Sequence, residues 1–143
     1  MSSEVLIMLV EDDEVDVMTI KRAFKDAKIT NPLVVCANGV EALEYLINRK
    51  TRRPGIILLD LNMPKMNGLE LLAVLKYDDQ LRTIPVVVLT TSKTDQDKIE
   101  SYKYSVAGYM IKPLDYLQFV EIVKTIHLYW KTSELPNDEN KKQ

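Results

Sequence analysis

Apolar residues along this chain fall into two alternating patterns. Short unbroken runs occupy about 5–10, 33–37, 55–60, 85–90 and 107–111, typified by Ile56-Ile57-Leu58-Leu59. Runs this short, rich in β-branched residues and bounded by turn formers, predict strands buried on both faces. At about 14–28, 38–50, 67–78, 94–104 and 115–131, apolar residues recur every third or fourth position and predict amphipathic helices. Val17, Ile20, Phe24 and Ala27 form one such stripe; Leu69, Leu72, Val74 and Leu75 form another. Asn67-Gly68 marks the turn ahead of the third helix, and Pro85 opens the fourth strand, where a missing N–H is tolerated. Strands alternating with helices over short links imply parallel strands and right-handed crossovers, hence a three-layer, doubly wound α/β domain.

Composition narrows the picture. A chain of 143 residues that is 46% hydrophobic suffices for one domain with its own core, expected at 4–131 and followed by a polar tail at 132–143. Nothing after that tail could serve as a DNA-binding or enzymatic output domain, so the domain is expected to stand alone. The net charge of −2, with no basic block, leaves no electrostatic footprint for nucleic acid. There is no signal-peptide pattern and no apolar run near the roughly 20 residues of a membrane span. The single Cys36 lies within an apolar run and reads as a buried thiol in a reducing cytoplasm. Gly39, Gly55, Gly68 and Gly108 are scattered, which excludes a phosphate-binding glycine loop and a dinucleotide fingerprint.

The chemistry concentrates where the strands end. Ile56 to Leu59 runs into Asp60, followed by Leu61-Asn62-Met63-Pro64; the first strand runs into Glu11-Asp12-Asp13. The fourth delivers Thr90-Thr91-Ser92, and the fifth delivers Lys112-Pro113. Ionised carboxylates are costly beside a core, and in open parallel sheets the ligand crevice lies outside the carboxyl ends of the strands. Acids gathered at one edge repel each other unless a cation joins them. Hard carboxylate oxygens beside an Asn and a turn carbonyl suit Mg²⁺.

This ordered set resembles the receiver domain of two-component response regulators, over about residues 4 to 130. The resemblance implies a flavodoxin-like (βα)5 fold with strand order 2-1-3-4-5. It implies that Asp60 accepts a phosphoryl group from the phosphohistidine of a sensor kinase. Asp12, Asp60 and the backbone carbonyl of Asn62 would hold Mg²⁺ directly, and Glu11 through water, while Asp13 has no assigned role. Lys112 and Thr90 would engage the phosphoryl oxygens, and Thr90 with Tyr109 would form the switch. Asn62 and Ser92 would tune dephosphorylation. The Lys112–Pro113 bond would be cis, aiming the ammonium at Asp60. Such a domain is a phosphoacceptor with self-catalysed transfer and autodephosphorylation, not an enzyme acting on a separate substrate.

The last helix carries more apolar residues than one core stripe absorbs. Tyr116, Phe119, Val120, Ile122, Val123, Ile126, Tyr129 and Trp130 cover about half its circumference, with Leu117 and Leu128 on the other side. Either the helix is buried more deeply than usual, or a homodimer forms through this face or the Trp130–Pro136 extension. His127 is expected at the surface or an interface, not as a phosphate carrier. The end of this helix also resembles stand-alone regulators paired with phytochrome-type kinases. A haloacid dehalogenase-type phosphatase would need a second Asp two residues after the nucleophile, where Asn62 stands. A phosphorylation-independent interaction module would not need Asp60, Thr90 and Lys112 together, and a flavodoxin would carry a Ser/Thr-rich phosphate loop after the first strand.

Overall fold

The computed structural model describes residues 4–135. Its elements alternate as the periodicity predicts: β1 (Ile7–Val10), α1 (Glu14–Asp26), β2 (Leu33–Cys36), α2 (Gly39–Ile47), β3 (Ile56–Leu59), α3 (Gly68–Tyr77), β4 (Val86–Thr90), α4 (Asp95–Lys103), β5 (Gly108–Ile111) and α5 (Tyr116–Thr132). A short 3-10 turn at Leu81–Thr83 is additional. It is too brief to show a period, and its signal is Asp78, whose Oδ1 accepts from Gln80 N (2.8 Å) and Leu81 N (3.0 Å).

The five strands pair in parallel in the order β2-β1-β3-β4-β5. Alternate side chains leave opposite faces of a strand, and both faces here are covered. Met8, Val10, Ile57, Leu59, Val86 and Val88 meet Leu71, Leu72 and Leu75 of α3. Ile7, Leu9, Ile56, Leu58, Val87 and Leu89 meet Ile20 and Phe24 of α1 and Phe119, Val123, Ile126 and Trp130 of α5. The register aligns Val10 with Leu59, Leu59 with Val88, and Thr90 with Ile111, so the strands stop along one edge.

Two expectations about helix faces need correction. Val74 is 40% exposed, and Leu71 takes its place on the buried face of α3. At 100° per residue, 71, 72 and 75 share a face that 74 leaves. Trp130 does not belong to the surplus surface of α5: it is buried, with its ring centroid 6.2 Å from that of Phe24. Leu117 and Leu128 are exposed, as expected. Of the polar tail, Leu135 packs against the α1/α5 layer, and 136–143 lie outside the described residues. Among the described residues no helix is long and apolar enough to cross a membrane.

The start of α3 shows why glycine follows Asn67. Asn67 and Glu70 form a reciprocal capping box, Glu70 N to Asn67 Oδ1 and Asn67 N to Glu70 Oε1, each 2.9 Å. This seats Gly68 on the end of β3, where a Cβ would stand 2.7 Å from Asp60 O. Gly68→Ala therefore pushes α3 off the strand end and should cost roughly 1–3 kcal/mol. Urea denaturation of the variant against the parent measures it.

Candidate functional site

The sheet itself fixes the site. Glu11 N donates to Cys36 O (2.9 Å), Asp60 N to Val10 O (3.0 Å) and Lys112 N to Thr90 O (2.8 Å). Each residue after a strand is thus held by the neighbouring strand's last carbonyls, and the side chains converge on one edge. Carboxylate oxygens of Glu11, Asp12 and Asp60 lie within 4.8 Å of one another. Glu11 and Asp60 are buried and Asp12 is exposed. Asn62 follows in the exposed loop two residues after Asp60. This is the set expected of a hard divalent cation: few carboxylates, with room for water ligands.

One ammonium answers this crowding. Lys112 Nζ lies 2.6 Å from Glu11 Oε1 and 3.0 Å from Asp16 Oδ2. Burial pushes the Glu11 carboxyl up to about 7, more than the Lys112 hydrogen bond pulls it down, and the Asp60 charge adds to the rise. Burial alone would lower the Lys112 ammonium, but Glu11, Asp60 and Asp16 together raise it above its ordinary value. Lys112 therefore stays charged while its carboxylate neighbours compete for it.

The expected cis Lys112–Pro113 bond is absent: every peptide among the described residues is trans. The trans form of an X–Pro bond is favoured by about 0.5–1 kcal/mol, and nothing here requires the other. From the trans backbone the ammonium reaches Glu11 and Asp16, and it meets Asp60 through charge, not through a hydrogen bond. Asp16 is the residue that sequence reasoning missed. No local signal marks it, because its partner Lys112 is 96 positions away.

Asp13 also acquires a role. It is the N-cap of α1, its Oδ1 accepting from Val15 N (2.8 Å) and Asp16 N (3.3 Å). Thr90 is fully buried, and its Oγ1 accepts from Ser92 N (3.2 Å). The Tyr109 hydroxyl donates to Ser92 O (3.0 Å), and Ser92 Oγ donates to Asp97 Oδ2 (2.6 Å). The two residues expected to form the switch are thus joined through Ser92. Cys36 is buried, and burial pushes its thiol up to about 11, as expected of an inert strand cysteine. His127 rests edge-on against Trp130, with ring centroids 5.2 Å apart.

Residues 7–124 match the response regulator receiver domain family, and the chain belongs to it. Response regulator Rcp1 of Synechocystis sp. is 37% identical over 136 residues, covering 92% of each chain. Its Mn²⁺-bound crystal form superposes with a TM-score of 0.85 at 36% identity, covering 93% of this chain and 99% of that one. The phosphorylated cyanobacterial phytochrome response regulator RcpA gives 0.87 at 38% identity, covering 94% and 99%. The probable methanogenesis regulatory protein FilR2 of Methanothrix harundinacea is 41% identical over 128 residues, 87% of this chain and 83% of that protein. The protein is therefore a receiver domain of a two-component response regulator, a family that works by phosphorylation on aspartate, pairs with a histidine kinase and binds a divalent metal in an acidic pocket.

The two neighbouring acids separate by experiment. Asp13→Ala should cost about 0.5–2 kcal/mol through its lost cap and leave divalent-cation affinity unchanged. Asp12→Ala, which removes a carboxylate from the acidic cluster, should diminish any rise in melting temperature brought by a divalent cation and, by relieving repulsion, raise the stability of the metal-free protein. Thermal unfolding with and without Mg²⁺ reads both.

Proposed function

We propose that Asp60 is the phosphoacceptor. The observation that carries this reading is its position: a buried carboxylate at the end of the central strand β3, flanked by Glu11 and Asp12, with Lys112 close enough to sense its charge. An Asp60 oxygen attacks phosphorus in line, the O–P bond forms, and the N–P bond of the donor phosphohistidine breaks. The imidazole nitrogen keeps the bonding pair and is then protonated by water. Such a transfer needs mainly positioning and neutralisation of the oxygens. Asp12, Asp60 and the Asn62 carbonyl would hold Mg²⁺, with Glu11 acting through water, and when bound it supplies charge neutralisation at the phosphoryl oxygens. Lys112 supplies a compact second positive charge.

The product, an acyl phosphate, carries about −2 charge where the carboxylate carried about −1, and it places three acceptor oxygens beside Thr90. Its hydroxyl, now an acceptor from Ser92 N, has reason to turn towards the phosphoryl group and free Ser92. Tyr109 is bonded to that same residue and responds with it, which passes the change to α4 and β5. Asn62 and Ser92, beside the path of attacking water, tune the return reaction. The likeness to RcpA, a cyanobacterial phytochrome response regulator, supports a phytochrome-type sensor kinase as donor, and the reading extends to a cytoplasmic receiver of residues 4–131 that contacts neither membrane nor nucleic acid.

Incubation with acetyl phosphate and Mg²⁺ should add one phosphoryl mass to the intact chain, and Asp60→Asn should take none while remaining folded. Full labelling of that variant would refute the assignment.

We further propose a homodimer through α5. Leu114, Leu117, Leu128 and Tyr129 are exposed along this helix and its approach, more apolar surface than solitary residues explain, and a second copy covers it symmetrically. Leu117→Glu with Leu128→Glu should give a monomer in sedimentation velocity that still takes the phosphoryl group. A parent chain that sediments as a monomer at high micromolar concentration, phosphorylated or not, would rule the dimer out.

A further inference from the structure

We propose that Asp16 is a positioning residue that holds the Lys112 ammonium at the rim of the site until a phosphoryl oxygen on Asp60 takes its place. The inference rests on Asp60 as the phosphoacceptor. An ammonium has three donors, and two of those on Lys112 are spent on Glu11 at 2.6 Å and Asp16 at 3.0 Å, with none on Asp60. The Asp16 backbone is pinned in the first turn of α1, where its N–H donates to the capping Asp13 Oδ1 at 3.3 Å. Its carboxylate is thus presented to Lys112 by a fixed turn, not by a mobile loop.

The two carboxylates are not equivalent as partners. The Glu11 side chain is 1% exposed and that of Asp16 is 39% exposed. If Lys112 turned away from Glu11, a buried carboxylate would lose its counter-charge with no water to replace it, which is costly. Asp16 opens on a groove of about 400 Å³ between α1 and the β5–α5 connection, so water replaces the ammonium there. Asp16 is the partner that Lys112 gives up at least cost, and a dianionic phosphoryl group outcompetes it. Until then its charge favours the unphosphorylated protein. The exchange also releases the first turn of α1 from the residue that follows β5, so α1 senses phosphorylation independently of Thr90 and Tyr109.

Labelling by acetyl phosphate with Mg²⁺, followed by intact mass, tests this with four chains. Asp16→Asn should raise the initial rate roughly two- to fivefold, the range of a partly exposed ion pair, and Asp16→Glu should return it towards the parent. Glu14→Gln removes the same charge from the same turn without touching Lys112 and should leave the rate at the parent's. The gain in Asp16→Asn should shrink in molar salt as the pair is screened. In metal-free protein, unfolding free energies of Asp16→Asn, Lys112→Met and the double variant should be non-additive. An unchanged or slower rate in Asp16→Asn, an equal gain in Glu14→Gln, or additivity in the metal-free cycle would overturn the inference while leaving Asp60 in place. A parent chain that takes no label at Asp60 would overturn both readings together.

Discussion

Parallel strands that stop in register bring the residues after them side by side, and in this protein those residues are acids. β1 and β3 are adjacent and aligned through Val10 and Leu59, so Glu11 and Asp60 must be neighbours, and both are buried. Water cannot screen them, and only a cation can make the arrangement favourable. Lys112 supplies one from the far side of β4. Burial pushes the carboxyl of Glu11 up to about 7 even with Lys112 beside it. Glu11, Asp12 and Asp60 form the kind of acidic pocket in which the family binds a divalent metal, a second positive charge at such an edge.

The same constraint gives a new charge at Asp60 a way to be felt beyond the edge. Lys112, Thr90 and Asp60 each belong to a different strand end: Lys112 is tied to Asp16 in α1, Thr90 to Ser92 ahead of α4, and Leu61, the residue after Asp60, accepts from Gly68 N at the start of α3. New charge at Asp60 cannot be accommodated by one side chain alone. It redistributes partners whose backbones lead directly into helices on both faces of the sheet.

How far this was legible in the sequence follows from range. Periods of two and of three to four residues report local burial, so the five strands, the five helices and the convergence of Asp60, Asp12, Glu11, Thr90 and Lys112 could be read from residues within each segment. Asp16 could not, because its partner Lys112 is 96 positions away and no local pattern marks the pairing. Asp13 was legible as one of three acids but not as a cap, since cap and ligand have the same composition and differ only in where the helix starts. Trp130 looked like surplus on α5 because its partner, Phe24, lies on another helix. The cis bond was inferred from likeness, and the local geometry has no use for it.

Such an edge is tolerable because the rest of the domain asks nothing of it. The two apolar layers close over β1, β3 and β4 without help from any site residue, with Leu71, Leu72 and Leu75 on one face and Phe24, Val123 and Trp130 on the other. Hydrophobic burial scales with area and is indifferent to charge at the strand ends, so the core can carry an electrostatically strained rim. That separation would let phosphorylation change the charge at Asp60 by about one unit, from carboxylate to acyl phosphate dianion, without unfolding the sheet. The proposed response falls on rim elements tied by polar contacts: the first turn of α1, the Ser92 loop and the connection into α5. A signalling domain needs this division, in which the rigid layers set the distances and the rim has more than one way to pair its charges.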